Sequence, residues 1–306
     1  DQSGLTEFSP EGLRSEWEQP GFDLAADARL AEAGDGRIAG YIDVWDMDEL
    51  PVKALVFGRV HPDFERRGIG TRLLGWAEAR SRQAITRVPP EARVAMRCWA
   101  PSNHRPTQEL FRKHGLLPVR YSWEMGIELV EALPEPNWPE GIAVRTHDEG
   151  GDVRAVHRAV RDAFRDHWGH VPTPDEQDFP HWHHRMTADP ITYDPSLWFL
   201  AMDGEEIAGM LLGMRQPERD PELGWIQTVG VRRPWRQRGL ASALLQHAFR
   251  EFARRGLRRA ALMVDAGSLT GATRLYARAG MSVLREFTTF EKELRPGVEL
   301  GTQSVA

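Results

Sequence analysis

A chain of 306 residues is too long for one ordinary hydrophobic core and accommodates two domains of common size. Its apolar fraction of 41% and charged fraction of 27% are those of a soluble globular protein, and no run of eighteen apolar residues is present to cross a bilayer. The formal charge of -6 argues against bulk attraction to nucleic acid, and a single cysteine, Cys98, allows no internal disulfide and suits a reducing, cytoplasmic setting.

The sequence opens on Asp1 rather than Met with no signal-like segment, so the numbering is expected to start inside a longer reading frame. In chain order, four segments of the first half recur in the second. GRIAGYIDV at 36–44 returns as EEIAGMLLG at 205–213, and ERRGIGTRLL at 65–74 as RQRGLASALL at 236–245. NHRPTQELFRKHG, from Asn103, returns as SLTGATRLYARAG, from Ser268, and LPVRYSWEMGIEL at 117–129 as SVLREFTTFEKEL at 282–294. Order and spacing are both kept, which marks a duplicated domain rather than a solenoid. Between the copies, Pro134, Pro136 and Pro139 exclude a helix or a central strand. The expected organisation is an N-terminal domain over 1–133, a stiff linker over 134–141, a C-terminal domain over 142–295 and a polar tail over 296–306.

In the second copy, IAVRT at 142–146 reads as a strand, 152–165 as a helix and 175–187 as a second helix. WFLAM and IAGMLLGM alternate about the turn residues Asp203 and Gly204 as a hairpin does, and WIQTVGV at 225–231 is a third apolar run ended by Pro234. From Ala241 the apolar positions Leu244, Leu245, Ala248, Phe249 and Phe252 keep the spacing of a helix buried on one face. AALMV at 260–264, a helix over 271–279 and two last strands complete the copy. The first copy is shorter at its front: only 67 residues precede Gly68, whereas Gly239 lies 97 positions after Ile142. An initial strand and helix are missing or degenerate there.

The repeated loop carries the chemistry. A strand, a turn of arginine, glycine and small residues, and a helix amino end together aim several backbone N–H groups outward, and such a nest receives phosphate. Gly239 and Ala241 are small enough for close approach of a diphosphate, while Arg236 and Arg238 add positive charge. The loop lacks the G-x-G-x-x-G of a dinucleotide fold and the Lys-Ser/Thr pair of a P-loop. A tight turn with solvated arginines is the alternative for one copy alone.

The ordered set of loop, following strand and a helix containing A-x-x-L-Y-x-x-x-G resembles the GNAT superfamily of CoA-dependent N-acetyltransferases, in a tandem arrangement similar to that of mycothiol synthases. The matching segments are VGVRRPWRQRGLASALL at 229–245 and VDAGSLTGATRLYARAGM at 264–281, with weaker counterparts at 60–74 and 100–116. The resemblance implies an α/β fold of two domains, each a mixed, mostly antiparallel sheet flanked by helices. It implies acetyl-CoA, or another short acyl-CoA, as co-substrate, with no metal. Val229, Gly230, Val231, Arg236, Gln237, Arg238, Gly239, Leu240, Ala241 and Ser268 are the implied coenzyme contacts, with Tyr276 as the acid that protonates the CoA thiolate. Glu222, just before Trp225, is the candidate base, and a water relay through Gln227 and strand carbonyls is the alternative. In the first copy Phe111 stands for Tyr276 and Glu65 for Arg236, which implies a non-catalytic domain. There Arg66, Arg67, Gly68 and Gly70 either cradle a second CoA or persist as a feature of the fold.

FRDHWGHVPTPDEQDFPHWHHRM at 164–186 holds five histidines without a paired cysteine or an HExxH spacing, so a metal site is not expected. Placed by the resemblance, Asp166, His167, Trp168 and His170, with Trp225 and Gln227, line the acceptor pocket; a packed tryptophan among surface histidines is the alternative. Asp175, Glu176 and Asp178 either steer an amine or suit a helix amino end. The resulting expectation is a cytoplasmic acyltransferase acting on a small-molecule primary amine, with no nucleic-acid or membrane partner. A protein lysine or amino-terminal acetyltransferase and a non-catalytic CoA sensor or scaffold are the rivals.

Overall fold

The computed structural model describes residues 10–130, 132–147, 151–217, 219–268 and 271–302. The chain's opening at Asp1 and the last four residues of the polar tail lie outside that set. The described chain forms two compact units, one built of Glu16–Ser122 with Arg285–Gly301, the other centred on Trp123–Leu284.

In the first stretch of chain, α1 (Pro10–Trp17) and the short α2 (Leu24–Asp27) precede β1 (Ala28–Glu32), β2 (Ile38–Trp45) and β3 (Lys53–Val60). Helix α3 (Ile69–Ser81), β4 (Val94–Pro101), α4 (Arg105–Lys113) and β5 (Leu117–Glu128) follow. Strands β1, β2 and β3 are antiparallel, and β3 joins β4 in parallel. Alternation along β2 and β4 buries Ile42, Val44, Met96, Cys98 and Ala100 together with Leu73, Leu74 and Ala77 of α3. Among the described residues no strand precedes β1, but the helices α1 and α2 do, so the front of this copy is not without a helix.

The second stretch contains β6 (Ile142–Thr146), α5 (Val153–Phe164), α6 (Asp175–Thr187), β7 (Trp198–Asp203), β8 (Glu206–Arg215) and β9 (Leu223–Val231). It continues through α7 (Leu240–Arg254), β10 (Arg259–Asp265), α8 (Ala272–Arg278) and β11 (Ser282–Arg295). The period of two along β7 sorts its residues between two cores. Phe199 and Ala201 pack with Leu244, Leu245, Phe249 and Phe252 of α7 and with Tyr276 of α8. Trp198, Leu200 and Met202 pack with Val156, Ala159 and Ala163 of α5 and with Trp182 and Met186 of α6.

The two closing strands expected for the second copy are one continuous strand, β11, and its residues serve both units. From Phe287↔Pro101 to Arg295↔Val94 it runs antiparallel to β4 in the first unit. The place beside β10 in the second unit is taken by residues 123–128 of β5, and Leu129 N–H donates to the Arg258 carbonyl at 2.7 Å. The units are therefore interleaved in sequence, each closed by a strand from the far side of the other, whereas the boundaries drawn from sequence are contiguous. Local patterning is blind to this exchange because 117–129 and 282–294 are copies of one another and suit either edge. The proline stretch is docked rather than free: Arg250 donates to the Leu133 carbonyl and pairs with Glu135, and Trp138 lies edge-on to His247 of α7.

Among the described residues no helix is long and apolar enough to cross a membrane, and no group of three His, Cys, Asp or Glu is placed to hold a metal ion.

Candidate active site

The second unit is organised about a parting of two strands. Strand β9 pairs with β8 along its length, from Gly224↔Arg215 to Val231↔Gly209. Its parallel ladder with β10 begins at Leu223↔Arg259 and ends at Ile226↔Leu262. Beyond that pair, Gln227–Val231 and Met263–Asp265 flank a cleft that opens toward the loop before α7. A bulge marks the parting: Ile226 faces Gly213 and Thr228 faces Leu212, so Gln227 is the extra residue. Gln227 is exposed, and the indole Nε1 of buried Trp225 donates to its Oε1 at 3.0 Å. The Arg219 guanidinium lies 5.0 Å over the Trp225 ring and pairs with the buried Glu124.

The loop at the open end has the backbone that the glycine pattern requires. Gln237 and Gly239 have φ of 63° and 85°, and in the first unit Arg66 and Gly68 have 59° and 78°. A proline-containing 3-10 turn precedes each loop, Arg233–Trp235 and Pro62–Phe64, and anchors it by burying Trp235 or Phe64. No side chain caps α3 or α7, so the amides of each helix's first turn face outward uncapped. A Cβ added at Gly239 meets nothing within 4 Å, which leaves room for a ligand against the main chain. Outward amides, open space and a strand cleft together fit a diphosphate with an extended thioester arm.

Several implied contacts have other duties. Arg236 turns inward, where its guanidinium bonds the carbonyls of Val231 at 3.0 Å and Ala163 at 2.9 Å and the carboxylate of Asp166 at 2.8 Å. Asp166 also binds Arg233, and these two guanidinium groups hold its pKa down to about 2. Asp166 is thus a buried tie rather than part of an open pocket wall. Arg238 reaches the Glu140 carbonyl at 3.3 Å. Leu240 is buried in the α7 core. A Cβ at Gly230 falls 2.8 Å from Phe164 Cε2, and one at Gly70 falls 3.1 Å from Leu110 Cδ2, so both glycines admit a packed neighbour. Ser268 Oγ accepts from Ala272 N at 3.3 Å and helps start α8.

Tyr276 is 6% exposed and packs with Leu240, Leu244, Val264 and Met281. Burial pushes its phenol up to about 12, so it carries its proton throughout the neutral range. Its counterpart Phe111 lies edge-on to Phe290 at 5.4 Å. Glu222 stands at the closed end of the cleft. Its side chain pairs with Arg258 at 3.1 Å and Arg259 at 3.3 Å, and its carbonyl accepts from both their amides. Val229 lies seven positions further along the strand, about 23 Å at strand rise. That is the position of an anchor for the start of β10.

His167 is exposed, with its ring 4.3 Å from Phe164, while Trp168 and His170 are half-buried. Gly169 N–H donates to the Thr302 carbonyl at 2.7 Å and Thr302 N–H to the His170 carbonyl at 2.9 Å, so this loop is strapped by the tail. His157 is fully buried on α5, 2.7 Å from Asp178 and 3.2 Å from Asp175, both of which also meet Arg161. The acids weighed for steering an amine instead hold α6 to α5. Nothing in the spacing of His157 sets it apart from any helical histidine, so sequence reasoning missed it.

The first unit parts in the same place and then differs. Its β3–β4 ladder ends at Leu55↔Arg97, but its β2–β3 register runs without a shift from Gly40↔Val60 to Trp45↔Leu55. Beyond the last pair, Phe57 and Trp99 bring their rings within 5.7 Å of each other, and the Arg59 guanidinium lies 4.3 Å over Phe57. In the second unit the residue two positions past the last pair is Val264, which is buried in the core with α7.

Residues 154–281 match the Acetyltransferase (GNAT) family, and residues 27–115 match an Acetyltransferase (GNAT) domain. The mycothiol acetyltransferase of Streptomyces bingchenggensis is 33% identical over 273 residues, covering 87% of this chain and 79% of that protein. This chain belongs to the GNAT acetyltransferase family. Another GNAT relative, the mycothiol acetyltransferase of Streptomyces scabiei, is 32% identical over 262 residues, covering 84% of this chain and 75% of its own length. The solved GCN5-related N-acetyltransferase from Sphaerobacter thermophilus is 40% identical with a TM-score of 0.76, covering 97% of this chain and 89% of its own. A tandem GNAT protein from the clavulanic acid biosynthesis pathway shares the fold at 16% identity and a TM-score of 0.66, covering 89% of this chain and 84% of its own. The protein is therefore an N-acetyltransferase with two GNAT domains, and each matched segment contains one copy of the glycine loop, at 65–70 and at 236–241.

Proposed function

We propose that the second unit transfers an acetyl group from acetyl-CoA to the primary amine of a small molecule, and that the first unit does not catalyse. The observation that carries this reading is the parting of β9 from β10 beyond Ile226↔Leu262, with a bulge at Gln227 in one unit and not in the other. Acetyl-CoA supplies the activated acyl group. The outward amides of Gln237–Ala241 receive its diphosphate, and the amides of Val229–Val231 receive the arm that runs into the cleft. Donors aimed there at a developing oxyanion are worth ~3 kcal/mol.

The amine attacks the acyl carbon directly, so no residue serves as nucleophile. Tyr276 donates its proton to the departing thiolate, a duty suited to a phenol kept neutral by burial. The ammonium proton leaves through solvent held at Gln227 and the strand carbonyls, because Glu222 is occupied by Arg258 and Arg259. Phe111 lacks a proton to give and Glu65 brings negative charge toward the first loop, which supports a non-catalytic first unit. The name of the relatives supports a mycothiol precursor, a cysteinyl amino sugar, as the first acceptor to try.

The test is thiol release from acetyl-CoA across a panel of amines headed by that sugar, run on the wild type, Tyr276→Phe and Phe111→Tyr. Turnover lost only in Tyr276→Phe is the expected result. Unchanged turnover in that variant removes the phenol from the mechanism, and no turnover with any amine overturns the proposed reaction.

A further inference from the structure

We infer that Asp166 is a positioning residue that ties the coenzyme loop to the helix on the acceptor side, so that acyl-CoA affinity depends on a carboxylate which touches no part of the coenzyme. The inference rests on the reading above and names what holds that site in place. Three stretches of the second unit converge on Asp166: the carboxyl end of α5, the end of β9 and the turn that opens the glycine loop. Its Oδ2 accepts from Arg233 Nε at 2.9 Å and Arg236 Nη1 at 2.8 Å, and its Oδ1 accepts from Arg233 Nη2. Arg236 also donates to the Val231 and Ala163 carbonyls. Both cations are thus engaged by Asp166, which is itself 5% exposed.

Comparison with the first unit shows what the tie is for. There Glu65 stands at the position of Arg236, yet Arg66 and Gly68 adopt the same left-handed backbone as Gln237 and Gly239. The same backbone thus forms with a carboxylate instead of a guanidinium at that position. What Asp166 adds is a fixed placement of the turn against α5, the helix that runs into His167, Trp168 and His170. A carboxylate with two guanidinium partners is among the stronger polar contacts available, and losing it leaves the half-buried Arg236 and the exposed Arg233 without this counter-charge. A small misplacement of the amides is enough to weaken a ligand gripped by main chain alone.

The test measures CoA binding to the full chain by titration calorimetry, together with steady-state kinetics. Asp166→Asn is expected to raise the CoA Kd and the acetyl-CoA KM about tenfold, within the usual range of coupling between sites, with kcat at saturating coenzyme nearly unchanged. Asp166→Glu should recover much of the loss. Asp162→Asn is the control, because it breaks a second ion pair from the same helix, to Arg232 at 2.8 Å, without touching the loop arginines. It should lower the melting temperature comparably and leave the CoA Kd alone. Arg236→Gln should weaken CoA by the same factor as Asp166→Asn, and the double variant should be no worse than either. Should Asp166→Asn fail to fold, Arg236→Gln and Asp166→Glu decide alone: wild-type CoA affinity in the first, or no recovery in the second relative to the first, overturns the tie. Wild-type affinity in Asp166→Asn, an equal loss in Asp162→Asn, or additive losses in the double variant also overturn it. If the wild type binds CoA and Tyr276→Phe abolishes turnover, such a result fells this inference alone; a wild type that binds no CoA fells the parent reading with it.

Discussion

Trp225 donates its indole N–H to Gln227 Oε1 at 3.0 Å, across the point where β9 leaves β10. The bond ties a buried residue of the paired strand to the bulged residue that opens the cleft. Replacing Trp225 with Phe removes the donor and keeps most of the ring. A hydrogen bond of about 1 kcal/mol then converts to a kcat lowered about fivefold, with acetyl-CoA KM within a factor of two. Steady-state kinetics in both substrates check this, and an unchanged kcat would mean that the bond has no part in shaping the cleft.

The two glycine loops are predicted to differ in consequence but not in backbone cost. Gly239→Ala and Gly68→Ala each force a side chain into φ near +80° with nothing for the Cβ to touch, so each should destabilise its unit by ~1–2 kcal/mol. Only Gly239→Ala should also raise acetyl-CoA KM. Denaturant melts paired with kinetics make the comparison, and a KM that rises in Gly68→Ala would give the first loop a share in turnover.

Gly230 is a packing glycine. A methyl there lands 2.8 Å from Phe164 Cε2, 3.1 Å from Ala163 Cβ and 3.1 Å from Met210 Sδ, all in the core beneath α5. Gly230→Ala should cost ~1–3 kcal/mol by overpacking and displace α5 from β9. Gly230→Ala paired with Phe164→Leu, which makes room, should recover part of the loss. Equal stability of Gly230→Ala and wild type would contradict the close approach.

The buried phenol carries a pH signature. Tyr276 is raised from near 10 to about 12 by burial, so its neutral form is favoured by the fold. The stabilisation is complete below the unfolded value near 10 and is lost as pH rises through about 12. Melting temperature followed from pH 8 upward should therefore fall more steeply above about pH 10 in the wild type than in Tyr276→Phe. Parallel curves for the two proteins would show that the hydroxyl is not held in an apolar site.

Sequence reading found the elements that local chemistry dictates. The hairpin about Gly204, the one-faced helix from Ala241 and the exclusion of regular structure at Pro134, Pro136 and Pro139 each follow from alternation, helical period or a ring-locked φ within a short window. It found the loop at Gly239 for the same reason, since a left-handed residue before a helix amino end leaves a mark in composition. Side-chain duties were less legible. Arg236 and Asp166 read as ligand contacts because charged residues beside a phosphate loop suit that role, but the 70 positions between them hide the ion pair that occupies both. Glu222 reads as a base near Trp225 until Arg258 and Arg259, more than thirty positions on, are seen to hold it.

The amino-acid sequence by itself determined that the chain is a duplication, where each copy turns through a glycine loop into a helix, and that Tyr276 of one copy answers to Phe111 of the other. Those features live in dihedral preferences and residue identities, which act within a few positions. Only the tertiary structure decided that the copies exchange their closing strands, that the β9–β10 ladder stops at Ile226↔Leu262 and that the aromatic rings of Phe57 and Trp99 meet across the equivalent parting. Each of these depends on which distant segments share a core or a ladder. That choice is made by the summed burial and pairing of whole elements, for which no single stretch of sequence holds the information.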